Sequence, residues 1–448
     1  MKEENNISRR KALKILGLGA AATVGAAVFK STPFLANAYA QSTKASEFDT
    51  NSIKLVDKKL NYRNNDMISM IGFGCMRFPT TGDGGRRAPV DIEKTQQLVD
   101  YAYAHGINYY DTAYVYHGGK SEEIIGNALR KYPRESYFLA DKMPGYNVKV
   151  KEDVPRLFEE QLKRCGVDYF DYYLLHTIQD IKSYEKVYEE FGGYEYLLGE
   201  KKKGRIKNLG FSFHGNRECW DHVIDKHDWD FVQIQLNYID WDIDGEYLYK
   251  SLEKRKIPCV IMEPLLGGRL ASLSKGAEKI LKEKNPDLSI ASWAFRYLGS
   301  LPNVLVSLSG MTYMEHLVDN IKTFTEFKKL NAGEKLALNR AIIEYNKFKR
   351  INCTACRYCM PCPYDVEIPS VFTVYNKLVM ENNIPSKDDQ NAQEYATKRE
   401  AFAKAFREEF ASGGNATQCV GCGECLEKCP QHLQIPDLME LIKKPLEG

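Results

Sequence analysis

The stretch Gly106–Leu129, GINYYDTAYVYHGGKSEEIIGNAL, decides the fold because its rhythm changes half-way along. NYYDTA reads as a short strand, whereas Glu122 to Arg130 sets apolar residues at helical spacing. The same alternation extends outward from about Ser69 to Phe327. Strand-like runs recur as SMIGFG, YFLADKM, DYYLLH, IKNLGFS, FVQIQLN, CVIMEP and VLVSLSG, which with NYYDTA makes eight. Between them lie helix-like segments such as Ile92 to His105, Val154 to Cys165 and Tyr184 to Lys203. Repeated βα units imply a parallel sheet, and this number predicts an α/β fold of the (β/α)8 TIM-barrel type over an open doubly wound sheet. In such a barrel chemistry gathers at the C-terminal ends of the strands.

Polar residues stand at those ends. Asp111 ends NYYD, Tyr116 follows in the next loop, Lys142 ends YFLADK and His176 ends DYYLLH. Singly, each is as well explained by structure, since a strand-end histidine is commonly a hydrogen-bonded structural residue. Carried on consecutive strands, they can converge on one point, and such a group suits acid-base catalysis of carbonyl reduction. Tyrosine, with a reference pKa of about 10, is a poor proton donor near neutrality. A nearby Lys142 ammonium favours phenolate, Asp111 holds the ammonium, and His176 orients a substrate oxygen. Tyr116 then protonates the alkoxide as hydride arrives.

Through GINYYDTAYVYHGGKSEEIIGNAL, LADKMP, DYYLLH, GRIKNLGFS, EPLLGG and SGMTYMEHLVDN, the chain resembles the aldo-keto reductase family of NAD(P)H-dependent carbonyl reductases. The resemblance implies the family's catalytic tetrad at Asp111, Tyr116, Lys142 and His176, and a small-molecule carbonyl substrate. It also implies dinucleotide contacts at Ser212, Gln233, Gly310, Met311, Thr312 and Asn320. The cofactor region departs from the family in places. Ser212 is followed by Phe213 and His214 where members usually carry asparagine, and Met262 stands where many place an aromatic residue under the nicotinamide. After the last strand no Arg or Lys precedes Lys322, and a cation there is a usual source of NADP preference. NADH, a flavin, or no dinucleotide in a decayed site all stay open on these residues.

Of twelve cysteines, eight fall into two runs near the C-terminus. Cys353, Cys356, Cys359 and Cys362 give C-x2-C-x2-C-x2-C-P, and Cys419, Cys422, Cys425 and Cys429 give C-x2-C-x2-C-x3-C-P. The second is the bacterial ferredoxin run, in which three thiolates hold corners of an iron-sulfur cube and the fourth reaches the other cluster. Two 4Fe-4S clusters are therefore expected, one on Cys353, Cys356, Cys359 and Cys429, the other on Cys419, Cys422, Cys425 and Cys362. Zinc suits paired C-x2-C units, but not a third evenly spaced cysteine and a fourth before proline. A disulfide framework does not call for the repeated CP and IP at one offset, Pro363/Ile368-Pro369 and Pro430/Ile435-Pro436. The first run is shortened at Met360 and Pro361, so a missing or degraded cluster is expected to be one that depends on Cys362. Cys75, Cys165, Cys219 and Cys259 are scattered singly and read as buried core thiols.

At the N-terminus Ser8-Arg9-Arg10-Lys11 precedes an uncharged run from Ile15 to Phe29 and an A-x-A site before Gln41. This resembles a twin-arginine export signal, with Ala12 in place of the favoured Phe. Such a route carries cargo already folded with its cofactor, and places the protein in the periplasm or an equivalent extracytoplasmic space. No membrane span is expected once the signal is removed. Without residues 1 to 40 the balance is 56 basic against 58 acidic side chains, which is no nucleic-acid binder's charge.

The domain reading is 1–40 signal, 41–63 N-terminal arm, 64–330 barrel and 331–448 a mainly α-helical ferredoxin-type domain. Within the last, Ala332 to Lys349 and Gln393 to Phe410 read as helices, the second with Tyr395, Phe402, Phe406 and Phe410 as a core-facing stripe. The expected function is an exported iron-sulfur oxidoreductase whose clusters relay single electrons to or from a redox partner protein. The competing class is an electron-transfer or scaffold protein with structural clusters and a catalytically idle barrel.

Overall fold

A computed structural model describes residues 54–81, 88–347, 349–385 and 392–447, so the export signal and most of the arm lie outside the described residues. The chain divides into two compact units. The first runs to Pro264 and resumes over Ala291–Leu330, while the second joins Leu265–Ile290 to the part from Asn331 onward. The sequence boundary at residue 330 misses this excursion, since Leu265–Ile290 groups with the cysteine-rich part instead of the barrel.

In the first unit, β1 (Lys58–Leu60) and β2 (Met67–Ser69) form an antiparallel hairpin, so part of the arm is strand. The Lys59 ammonium donates to the carbonyls of Leu301, Pro302 and Val304 and ties the hairpin to the start of the last barrel strand. Parallel strands follow as β3 (Ile71–Gly74), β4 (Tyr109–Asp111), β5 (Phe138–Met143), β6 (Phe170–Ile178), β7 (Ile206–Phe213), β8 (Phe231–Gln235), β9 (Cys259–Met262) and β10 (Val304–Ser309). They close into a barrel, β10 pairing with β3, and every strand-like run of the sequence coincides with one of them.

Period-two alternation sorts each strand into an inward and an outward set. Tyr109, Ala140, Leu174, Phe231 and Val260 belong to one buried apolar group. One pleat nearer the C-terminal end, the same faces carry Asp111, Lys142, His176, Gln233 and Met262. Apolar packing thus fills the lower barrel and polar groups line its mouth.

The expected helix from Tyr184 to Lys203 is broken. A short helix over Ile181–Tyr184 and a wider turn over Glu185–Glu190 stop at Gly192, and a new helix runs over Gly193–Lys202. Gly192 is left-handed at φ 68°, and a Cβ on Gly193 would lie 2.6 Å from the Val187 carbonyl oxygen, so both sites need glycine.

In the second unit, helix Lys275–Lys284 packs on helix Ala332–Asn346. The latter begins with a reciprocal cap between Asn331 and Glu334. Helices Ile368–Met380, Ala392–Glu409 and Ile435–Glu447 enclose a core that includes Phe372, Phe402, Phe406, Phe410 and Met439. Tyr395 does not belong to that stripe: it sits at the start of its helix, two turns before Phe402, and is exposed. Among the described residues no helix is long and apolar enough to cross a membrane.

Candidate active site

The barrel brings its strand-end residues together. Lys142 Nζ donates to Asp111 Oδ1 at 2.6 Å and to the Thr112 carbonyl at 2.7 Å. The ammonium lies 5.2 Å from the centroid of the Tyr116 ring. His176 meets Tyr116 edge-on, with ring centroids 6.4 Å apart. Asp111, Tyr116, Lys142 and His176 are all at most 8% exposed. Burial pushes the Asp111 carboxyl up, and the Lys142 ammonium opposes that shift. Burial, then the charges of Lys142 and His214, hold the His176 imidazole well below its ordinary value, so it is neutral.

Local backbone features aim these side chains. The β6–β7 register shifts between Leu175 and Ile178, where Thr177 is left-handed at φ 56° and its N–H donates to Ser212 Oγ at 2.8 Å. An irregularity of this kind redirects the residues at a strand end. The Tyr116 loop continues through left-handed His117, Gly118 and Gly119 and is closed at its base by Thr112 Oγ1 donating to Ser121 Oγ at 2.9 Å. The His117 ring stacks on Phe78, whose N–H donates to its Nε2 at 3.2 Å, so the loop is pinned to the one after β3.

A second buried network stands behind Lys142, on the opposite face of β5. Gln161 Nε2 donates to the Lys142 carbonyl and to Glu122 Oε1, each at 2.9 Å. Arg164 pairs with Glu122 at 3.0 Å, and Asp141 Oδ1 accepts the Lys142 N–H at 2.8 Å. Glu122 and Asp141 share a hydrogen bond, and burial, followed by the Glu122 charge, pushes Asp141 well above the usual carboxylate range. Asp141 therefore keeps its proton and donates it toward Glu122.

The cysteine runs of the second unit adopt matching backbones. Left-handed residues recur two and four positions after the first cysteine of each run, as Ala355 and Gly421 and as Arg357 and Gly423, and three positions after the last, as Asp365 and His432. Each run then leads into a helix that begins Ile-Pro, at Ile368 and at Ile435. The runs differ at the shortened spacing, where Met360–Pro361 is a cis peptide bond. Burial raises the Cys359 thiol, and Cys356, Cys353, Cys429 and Cys425 raise it further. Burial likewise pushes Cys425 up to about 11, with Cys419, Cys422 and Cys362 adding to the shift. Cys429 and Cys425 of the second run thus both act on Cys359 of the first, and Cys362 of the first acts on Cys425 of the second.

The Ala355 N–H points to Cys353 Sγ at 3.4 Å. Cys359, Cys362, Cys419, Cys422 and Cys425 line one cavity. Gly267, left-handed at φ 69°, presses on the first run so closely that a Cβ there would lie 2.2 Å from the Thr354 carbonyl oxygen. Cys75, Cys165, Cys219 and Cys259 are buried free thiols, as their isolation in the sequence suggests.

Comparison with known proteins agrees with both units. The model described as the aldo/keto reductase family matches residues 70–338, and that of a 4Fe-4S dicluster domain matches residues 352–433. The chain belongs to the aldo/keto reductase family. It is similar to the uncharacterized oxidoreductase YqkF of Bacillus subtilis, 28% identical over 61% of this chain and 95% of the relative. L-galactose dehydrogenase of Arabidopsis thaliana is 25% identical over 62% of this chain and 91% of its own length. The crystal structure of the thermostable aldo-keto reductase Tm1743 with the inhibitor epalrestat aligns at a TM-score of 0.52 and 28% identity, covering 63% of this chain and 98% of that one. The chain is an oxidoreductase of this family that carries a 4Fe-4S dicluster domain.

The dinucleotide positions expected of an aldo/keto reductase are present in part. Ser212 and Gln233 lie opposite each other on β7 and β8. Gln233 Oε1 is buried without a partner, as is Asn320 Oδ1, while Asn320 Nδ2 donates to Ser309 Oγ at 3.0 Å. Leaving such acceptors unpaired is costly, and an amide-bearing ligand would satisfy them, so the residues fit a dinucleotide. Phe213 turns outward against Trp220 and offers no donor. Gly310 follows β10, Met311 is buried, and Thr312 Oγ1 donates to the Arg77 carbonyl at 2.9 Å.

Arg77 adds a neighbour to this loop that its own sequence lacks. Its aliphatic stem lies over Gly310, where a Cβ would meet its Cδ at 2.9 Å. It comes from the loop after β3, where no local motif could announce it. Tyr146, whose hydroxyl lies 3.2 Å from His176 Nδ1, was missed for the same reason.

Proposed function

We propose that this protein is an exported iron-sulfur oxidoreductase that reduces a carbonyl, or oxidises the matching alcohol, with Tyr116 as general acid and base. The observation that carries this reading is the buried Lys142–Asp111 pair, 2.6 Å apart, with its ammonium against the Tyr116 ring. That positive charge favours phenolate over phenol, which brings Tyr116 toward the range where it can give and regain a proton. In reduction Tyr116 Oη gives its proton to the substrate oxygen as the new C–H bond forms, and solvent returns one. Asp111 holds the ammonium, and His176 orients the substrate oxygen.

Ser212, Gln233, Gly310, Met311, Thr312 and Asn320 would hold a dinucleotide, which supplies the hydride when bound. Cys353, Cys356, Cys359 and Cys429, and Cys419, Cys422, Cys425 and Cys362, would hold two 4Fe-4S clusters that exchange single electrons with a redox partner protein. The cavity that Cys362 shares with Cys419, Cys422 and Cys425 supports this exchange at the second run. Export to the periplasm rests on the Arg9-Arg10 signal. A mature chain beginning near Gln41 in the periplasmic fraction would support it, and an intact N-terminus retained in the cytoplasm would reject it.

The deciding experiment is Tyr116→Phe, assayed on a panel of small aldehydes and ketones with NADH, NADPH or a reduced viologen as donor. Turnover should fall roughly a hundred- to ten-thousand-fold while the cluster absorbance is unchanged. Turnover equal to the parent would remove the acid-base role and favour an idle barrel.

A further inference from the structure

We propose that Tyr146 is a positioning residue that fixes the proton of His176 on Nε2, making His176 a hydrogen-bond donor toward the substrate oxygen. The inference rests on the reading of the site as a carbonyl reductase.

His176 is 5% exposed at the end of β6. On one side its ring meets the edge of Tyr116. On the other, Tyr146 leans on it with ring centroids 5.7 Å apart, inclined at 60°, and places its hydroxyl 3.2 Å from Nδ1. The imidazole backbone is held separately, its N–H directed to the Tyr188 hydroxyl. The contact at Nδ1 therefore bears on the ring and not on the strand.

A neutral imidazole has one N–H and one lone pair, and the partner at one nitrogen decides what the other can do. A carbonyl oxygen can only accept, so orienting it requires the proton on Nε2. Nδ1 is then a buried bare acceptor, which is costly unless something donates to it. A phenol hydroxyl is such a donor, and Tyr146 supplies one at hydrogen-bond distance. Lys142 and His214, the charged or titratable groups that act on His176 from neighbouring strands, both disfavour the imidazolium, so the ring does not escape the choice by taking a second proton.

The backbone holds Tyr146 in place. It sits in a single tight turn, Gly145–Asn147, directly after β5, with the Asn147 N–H donating to the Pro144 carbonyl at 2.8 Å. The Tyr188 hydroxyl closes on Gly145, where a Cβ would lie 2.7 Å from it, so the turn needs glycine before the tyrosine. Tyr146 itself is 42% exposed, which makes core packing a poor account of its presence.

The test is nitrogen NMR of the histidine rings in the full-length protein with its clusters oxidised, at neutral pH. The chain has only eight histidines, and His176→Gln identifies the resonance. The parent should show His176 protonated at Nε2 and bare at Nδ1. Tyr146→Phe, which keeps the ring and loses the hydroxyl at an exposed position, should give a mixture of the two forms. It should also lower kcat/KM for a carbonyl by about tenfold, the worth of one hydrogen bond. A parent ring protonated at Nδ1, or a variant with the parent's proton distribution, would overturn the proposal. The NMR readout does not depend on turnover. Were Tyr116→Phe fully active while Tyr146→Phe still released the tautomer, the reductase reading would fall and the Tyr146 contact would stand.

Discussion

The barrel mouth and the cysteine-rich unit hold reactive groups in opposite ways. In the barrel the polypeptide supplies the partners: at the mouth Lys142 has Asp111 and the Thr112 carbonyl, and behind it Glu122 has Gln161 and Arg164. Such side-chain pairs are complete when the chain folds. In the other unit, burial raises the Cys359 and Cys425 thiols and neighbouring cysteines raise both further, because like charges cannot gather without a counterion. A site built from such thiols leaves part of its organisation to iron.

Removing the iron should break the symmetry most strongly. Metal that assembles a small unit contributes on the order of 10 kcal/mol to its folding, whereas the barrel owes it nothing. All four tryptophans, Trp220, Trp229, Trp241 and Trp293, belong to the barrel unit, so their emission reports on that unit alone. Oxidative chelation should abolish the visible absorbance and part of the helical circular dichroism, with tryptophan emission unchanged. A red shift of that emission in step with iron loss would show that the barrel, too, depends on the metal.

A smaller perturbation separates the two cluster sites. Gly267→Ala puts a side chain on a left-handed residue, at a cost of about 1–3 kcal/mol. It also drives a Cβ into the backbone of Thr354, next to Cys353. Val420, the counterpart of Thr354 in the second run, is exposed. Iron per chain should therefore fall toward half, with the loss at Cys353, Cys356, Cys359 and Cys429. Iron content equal to the parent would mean that this loop yields without disturbing its ligands.

The barrel strands were legible because alternation and strand-length apolar runs are local, and the gathering of Asp111, Tyr116, Lys142 and His176 was legible because such barrels bring strand ends to one mouth. The 4Fe-4S dicluster domain was legible because its cysteines repeat at fixed spacing. The break at Gly192 is marked locally by the Gly192-Gly193 pair, a breaker signal that a helical apolar pattern does not record. What could not be read depends on who approaches whom. Helical spacing in Lys275–Lys284 says that one face is buried, not that Ala332–Asn346 covers it. Arg77 reaches Thr312 across 235 positions of sequence, and Tyr146 reaches His176 across 30. No window scan joins residues so far apart.

The finest difference lies within the barrel itself, between the ion pair at the mouth and the carboxyl pair behind it. Lys142 and Asp111 carry opposite charges, whereas Asp141 and Glu122 avoid like charges by keeping a proton. The unfolded chain releases the Asp141 proton near the ordinary value of about 3.9, while the folded chain retains it to higher pH. A raised folded value means stability that is complete below that ordinary value and is lost as pH rises toward the folded one. Asparagine keeps the bonds to the Lys142 N–H and to Glu122, its oxygen accepting and its amide donating, without a proton to lose, and gives up only the long 3.9 Å contact from Cys165 Sγ. Asp141→Asn should thus lie within about 1 kcal/mol of the parent at acid pH. It should gain on the parent steadily as pH rises, measured by urea unfolding followed through tryptophan emission. A variant that loses ground with pH instead would show that Asp141 is ionised in the folded barrel, and that the network behind Lys142 is held by charge as the mouth is.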